Sequence, residues 1–348
     1  MADDDAANLT RSRITLPEIS SRAWEHPADR GALAALRKLK GFDFLLRKLG
    51  ALWDERALRL TYVASAIRVD DRQFPAMHRL FAEAAATLDV RELPELYVDS
   101  YPFPMAWALG IDRPFVVVTS SMVESFDDEE LRYVLGHELG HVLSGHVLYT
   151  TMLHQLLRAS NAVSWLPFGT LGVRAVLAAL HEWYRKAELS CDRAGLLGGQ
   201  DPAAALRVHM KLAGGGRLQD LDATAFRAQG EEYLANTDLR DSVLKLLLLE
   251  ATTHPFAVVR AAELQHWVDE GAYTRILGGE YVRRGDDDSA SVREDVQDAT
   301  RHYSNAFEQS QDALVGLVRD VGGGLAGVRD WVTSKLARDD EGDEGQTG

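Results

Sequence analysis

Residues 137–141 read His-Glu-Leu-Gly-His, and no other short segment restricts the fold of this 348-residue chain as strongly. A helix turns about 100° per residue, so His137 and His141 lie about 40° apart, one turn above the other on one face. Two imidazoles so placed can grip one metal ion in a tetrahedral site. Glu138 falls about 100° round the helix, beside the pair, where a carboxylate can take a proton from a metal-activated water. Leu131, Leu135, Leu139, Val142 and Leu143 cover the opposite side. The segment therefore has to be a helix with an apolar back against a core and a polar front facing a cleft. Asp127-x-x-Glu130 has the form of a capping box, so the helix is predicted to run from Glu129 to His146. On that wheel His146 points roughly 180° from His137 and reads as a structural histidine in the apolar back.

A catalytic zinc ion takes a third protein ligand and keeps its fourth position open. Glu188 is the candidate, in Arg185-Lys-Ala-Glu-Leu-Ser-Cys-Asp192 on a second predicted helix, about Arg174 to Leu197. Asp192 lies one turn further on, where it can accept the free N–H of a ligand histidine and fix its tautomer. His181 is roughly 10 Å along the same helix from Glu188 and is the fallback ligand. Cys191 shares the Glu188 face and reads as a small buried thiol. Tyr184, also on that face, is a lesser candidate for an oxyanion donor.

Around these two helices the pattern is α+β and predominantly helical. Leu33, Leu36, Leu39, Phe42, Leu45, Leu46 and Leu49 recur at near-helical spacing, and a helix is predicted over Phe74 to Leu88. Short strands are predicted at Glu95 to Asp99, Met105 to Leu109 and Phe115 to Thr119, separated by prolines, which implies a small, edge-rich sheet. Further helices are expected at about Pro202 to Leu212, Glu231 to Glu250 and Pro255 to Glu270. Residues 1–20 are polar and are expected to be loose. The acidic triple Asp286 to Asp288 marks a boundary, beyond which 286–348 read as a helical appendage with an acidic tail. The stripe Leu314, Val315, Leu317, Val318, Val321, Leu325, Val328, Trp331 and Val332 would pack on its own domain, plug the cleft or touch a membrane surface.

Lys and Arg number 38 against 53 Asp and Glu, for a net charge of −15, which repels phosphate backbones and excludes nucleic acid as the expected partner. One cysteine precludes an intramolecular disulfide, and the N-terminus shows no secretory signal, so a cytoplasmic setting is expected. The apolar segment 159–180 is the alternative. Its longest uncharged part, Ala159 to Val173, is 15 residues and contains Asn161 and Pro167, short of the roughly 20 apolar residues of a span. Peripheral membrane association is what it leaves open.

His137-Glu-Leu-Gly-His141 followed by Glu188-x-x-x-Asp192 resembles metallopeptidase family 48, the group of the HtpX peptidase and the CAAX prenyl proteases. Pro94-Glu-Leu-Tyr-Val98, Val116-Val-Val-Thr-Ser120 and His254-Pro-x-x-x-x-Arg260 extend the resemblance over about residues 25–285. It implies a zincin-type domain over 21–285 and a zinc-dependent endopeptidase of the gluzincin type, with one Zn2+ held by His137, His141 and Glu188. Glu138 would be the general base, and the substrate a peptide or unfolded protein extended along Met105 to Leu109. His254 or Arg260 would supply a donor to the developing negative charge or brace the site. The sequence departs from the family where many members carry an Asn-Ala pair on the edge strand, which here is Met105-Ala106. It departs again at 159–180, which is too polar for the transmembrane pair of HtpX-like members. A non-proteolytic metal-binding scaffold on the same fold is the rival reading, and an intact Glu138 speaks against it.

Overall fold

The computed structural model describes residues 12–37, 55–154, 169–235 and 256–287. Residues 1–11, 159–168, His254, the 236–250 part of the helix expected at Glu231 to Glu250, and all of the appendage beyond Asp287 lie outside them.

The elements are α1 (Pro27–Arg37), α2 (Glu55–Ser65), β1 (Ile67–Arg68), α3 (Pro75–Thr87), β2 (Glu95–Asp99), β3 (Ala106–Leu109) and β4 (Phe115–Thr119), then the helices α4 (Ser120–Ser125), α5 (Asp128–Leu143), α6 (Gly169–Gly199), α7 (Pro202–Gly214), α8 (Ala223–Ala235), α9 (Ala257–Asp269) and α10 (Ala272–Leu277). Residues 147–154 are also helical. This is the α+β, mainly helical architecture expected. No helix among the described residues is long and apolar enough to cross a membrane.

The sheet order is β1-β2-β4-β3, with β2 parallel to β4 and the other pairs antiparallel. β4 is buried along its whole length, which is why its Val116-Val-Val118 run shows no polar alternation. Successive side chains still go to opposite faces. Leu96, Val98, Val116 and Val118 join the main core with α3, α5 and α6, whereas Tyr97, Phe115, Val117 and Leu109 meet Tyr62 of α2 on the other face. β1, two residues long, is too short to show an alternation and was not expected.

β3 lies at the edge of the sheet. Thr119 N–H donates to Met105 C=O at 3.0 Å, which makes that pair a bonded one in the antiparallel ladder. By alternation Trp107 and Leu109 turn their peptide groups towards β4, and Ala106 and Ala108 turn theirs outwards. Thr150 Oγ1 lies 3.4 Å from the Ala108 carbonyl. Ala106 is left facing the open side.

Two expectations change. Residues 12–20 are docked, because Leu16 and Ile19 punctuate the polar stretch and bury against the core while Leu16 N–H donates to Thr87 C=O at 2.9 Å. The active helix stops at Leu143, capped by Ser144, and Gly145 at φ +67° turns the chain, so the helical wheel does not reach His146.

The start of α5 is fixed as expected: Asp127 and Glu130 form a capping box. Glu130 is fully buried, and its charge is matched by Arg207 Nε at 2.9 Å and Lys211 Nζ at 2.5 Å, both from α7. α5 and α6 meet at small residues. A Cβ on Gly136 would sit 3.2 Å from the Gly195 Cα, and one on Gly140 would sit 2.6 Å from the Ala194 Cβ. Gly136 and Gly140 each precede a histidine of the motif, so backbone contact on this side sets the depth at which the imidazoles face α6. Gly140→Ala should therefore destabilise the protein by about 1–3 kcal/mol through overpacking. Adding Ala194→Gly should recover most of that loss, read as the two melting temperatures; equal melting of Gly140→Ala and wild type would refute the contact.

Candidate metal centre and cleft

The histidine pair projects from the buried C-terminal half of α5 towards Glu188 of α6. His137 Nε2 lies 3.6 Å from Glu188 Oε2, and His141 Nε2 lies 3.2 Å from Glu188 Oε1. Donor atoms bound tetrahedrally at about 2.1 Å stand about 3.4 Å apart, so these spacings suit one small ion between the three side chains. The donor set of two imidazoles and a carboxylate is also a zinc set. By mutual distance, though, the group whose ligand atoms all lie within 4.8 Å of one another among the described residues is His137, His141 and Cys191, which places the thiol beside Glu188 as a rival third ligand. The thiol, however, is pushed well above its ordinary pKa by burial, with the nearby carboxylate of Glu188 adding to it, and its sulfur contacts His146 Nδ1 at 3.5 Å. Glu188 is already ionised, whereas the thiol would have to give up a proton on binding, which makes the carboxylate the readier third ligand.

Asp192, one turn beyond Glu188, takes His137 Nδ1 at 3.1 Å and leaves Nε2 for the centre. Arg260 of α9 ties the assembly together. Its Nε donates to Asp192 Oδ2 at 2.7 Å, its Nη2 to Asp192 Oδ1, and its Nη1 lies 2.7 Å from Glu188 Oε2. Burial would raise both carboxyl pKa values. Arg260, together with His137 and the hydrogen bonds each carboxylate accepts, more than offsets it and holds Asp192 and Glu188 well below the carboxylate range, so both are ionised. Tyr133 O–H donates to Asp192 Oδ1 at 2.9 Å and stands 3.0 Å from His209 Nε2.

The two imidazoles are shifted in opposite directions. Burial pushes His141 down to about 4, whereas at His137 the pull of Glu188 and the bond to Asp192 overcome burial and raise the pKa well above the ordinary value. Glu138 is pushed up to about 7 by burial, with Glu188 adding to it. Its Oε2 is buried without a hydrogen-bond partner among the described residues.

Tyr133, His137, Glu138, Glu188 and Arg260 line a cleft of about 640 Å³ that runs from Met105 and Ala106 at the sheet edge to Tyr184. The structure thus brings together His137, Glu138, His141, Glu188, Asp192 and Arg260. His181 is half-buried and does not line the cleft. Arg260 is committed to two carboxylates, which makes it a brace rather than a free donor. His146 is buried as expected, but against Asp29 Oδ2 at 3.1 Å and edge-on to the His141 ring, because the chain turned at Gly145. The sequence reading missed Tyr133, His209 and Asp29. They come from three different helices, and no motif marks them.

An H-E-x-x-H helix laid against a carboxylate-bearing helix, over a cleft that ends at a sheet edge, defines a metallopeptidase architecture. The model of peptidase family M48 matches residues 71–268. A plastoglobule-localized metallopeptidase 48, chloroplastic, of Arabidopsis thaliana is 32% identical over 269 residues, covering 76% of this chain and 77% of that protein. A protease HtpX homolog of Ralstonia nicotianae is 25% identical over 272 residues, covering 70% and 89%. Another, of Tropheryma whipplei, is 36% identical over 74 residues, covering 21% and 25%. No solved structure matches the chain. The chain belongs to peptidase family M48, and the family resemblance read from its motifs holds.

Metal uptake requires neutral imidazoles, so binding at neutral pH should release about one proton per chain, chiefly from His137. Calorimetric titration with zinc in buffers of different ionisation enthalpy should show that release, and affinity should fall as pH is lowered from 8 to 6. Heats independent of the buffer would contradict a protonated His137 in the metal-free protein. Asp192→Ala should weaken zinc binding roughly 10- to 100-fold.

Proposed function

We propose that the protein is a zinc-dependent metalloendopeptidase whose single zinc ion is held by His137, His141 and Glu188. The observation that carries this reading is the convergence of His137 Nε2 and His141 Nε2 on the two oxygens of Glu188, beside a Glu138 oxygen with no partner of its own. When bound, the ion supplies a Lewis acid that polarises the scissile carbonyl and makes a water acidic near neutral pH.

The residues of the chain do the rest. Glu138 Oε2 takes the proton of the attacking water and delivers it to the leaving amine nitrogen; burial brings its pKa close to the working pH, where both transfers are accessible. Asp192 orients His137 through Nδ1, and Arg260 keeps Asp192 and Glu188 ionised and in place. The substrate lies extended beside β3, its backbone bonding to the outward N–H and C=O of Ala106. This main-chain pairing does not need the Asn side chain that Met105 replaces. His254, outside the described residues, keeps its proposed part as a donor from the segment leading into α9, on the strength of the motif alone.

Glu138→Gln should retain zinc and lose at least about 100-fold in turnover on an unfolded-protein substrate, in line with the loss of a general base. Chelator should abolish wild-type cleavage, and added zinc should restore it. Wild-type turnover by Glu138→Gln would remove the assigned base, and chelator-resistant cleavage would remove the metal.

A further inference from the structure

The edge strand has a second face. Met105, Trp107 and Leu109 turn their side chains away from the core face that carries Ala106 and Ala108, and they border a hollow of about 210 Å³ closed by Tyr62 of α2, Tyr101 and Thr151. That is below the roughly 300 Å³ at which pockets for drug-sized ligands begin, and suits one side chain. Among the described residues its lining is mainly aliphatic and aromatic, with Thr151 and His154 as polar side chains and no Asp, Glu, Lys or Arg. Its floor is fixed, because Trp107 Nε1 donates to Tyr62 Oη at 3.1 Å. Its rim is open: Tyr101 is 43% exposed and packs edge-on against Phe103, with ring centres 5.8 Å apart. Thr151 reaches the hollow from beyond the free edge of β3, where its hydroxyl bonds to Gly110. The hollow therefore extends to the side from which a substrate strand would add. Met105 borders both this hollow and the zinc cleft.

Strand geometry connects the two spaces. A residue lying beside Ala106 directs its side chain to the face of Ala106, towards the cleft. The residues before and after it direct theirs to the opposite face, the one shared by Met105 and Trp107. We propose that the hollow bounded by Tyr62, Tyr101, Met105 and Trp107 is a substrate subsite that takes a bulky apolar side chain, aromatic or long aliphatic, from a residue adjacent to the one paired with Ala106. The proposal rests on the peptidase reading above and gives that activity a sequence preference. Substrates are chains with exposed hydrophobic residues, the chemistry that distinguishes an unfolded protein from a folded one. Loss of the Asn side chain at Met105 fits this assignment, since the position now contributes apolar surface to the subsite.

The test uses the full-length, zinc-loaded protein and quenched fluorescent peptides in which each position around the scissile bond carries Phe, Leu, Ala or Lys in turn. At one position, Phe and Leu should exceed Ala and Lys in kcat/KM by roughly 10- to 100-fold, the range a single apolar pocket supplies. Tyr101→Asp, on the exposed rim and away from the core, should bring the Phe-to-Ala ratio towards one. A second readout is free of turnover: labelled peptides binding to Glu138→Gln, followed by fluorescence anisotropy, should show the same preference and the same loss with Tyr101→Asp added. Uniform cleavage of the whole set, or a preference that survives Tyr101→Asp, overturns the subsite and leaves the peptidase standing. Failure of the zinc-loaded wild type to cleave any peptide or denatured protein overturns the peptidase reading, and the subsite with it.

Discussion

The contact between α5 and α6 at Gly136, Gly140, Ala194 and Gly195 is the constraint on which the rest of the site depends. Helices packed through ordinary side chains lie 8–10 Å apart, and small residues let them come closer. Closeness matters here because the functional groups are short. Glu188 has to bring its carboxylate within about 3.5 Å of two imidazoles rooted on the other helix, and Asp192 has to reach behind one of them. The same helix face thus alternates glycine with histidine: one residue type sets the distance and the other uses it.

Bringing the helices together concentrates charge where water is scarce. Glu188 and Asp192 are buried one turn apart, and without a counter-charge both would tend to protonate. Arg260 arrives from α9 and bonds to both, using its fixed fork in a way a lysine could not match. Helices α7 and α9 are in that sense a clamp: α7 neutralises Glu130 at the base of α5, and α9 neutralises the carboxylates of α6. Glu138, left outside these pairings, is the acid whose pKa burial raises most, which is what a proton-transfer group at neutral pH requires.

The parts legible in the sequence were those written in local patterns. The period of α5, its capping box, the spacing of Glu188 and Asp192, and the strands Glu95 to Asp99 and Phe115 to Thr119 all depend on neighbours within a turn or on simple alternation. Gly136 and Gly140 were visible, yet their role appears only with Ala194 and Gly195 opposite. Tyr133 and His209 meet Asp192 from two elements with no shared motif. His146 was read as structural, but by a wheel that ended at Leu143; only the turn at Gly145 explains its place beside Asp29. Docking of Leu16 and Ile19 was hidden by the polar residues around them.

The account makes one claim from which the others descend, that His137, His141 and Glu188 together hold a single zinc ion. Elemental analysis of metal-replete wild type, His137→Ala and Glu188→Ala tests it most directly. One zinc per wild-type chain, with both variants depleted after dialysis while remaining folded by circular dichroism, is the predicted result. Full zinc in Glu188→Ala would move the third ligand elsewhere, and no zinc in the wild type would contradict the account at its root.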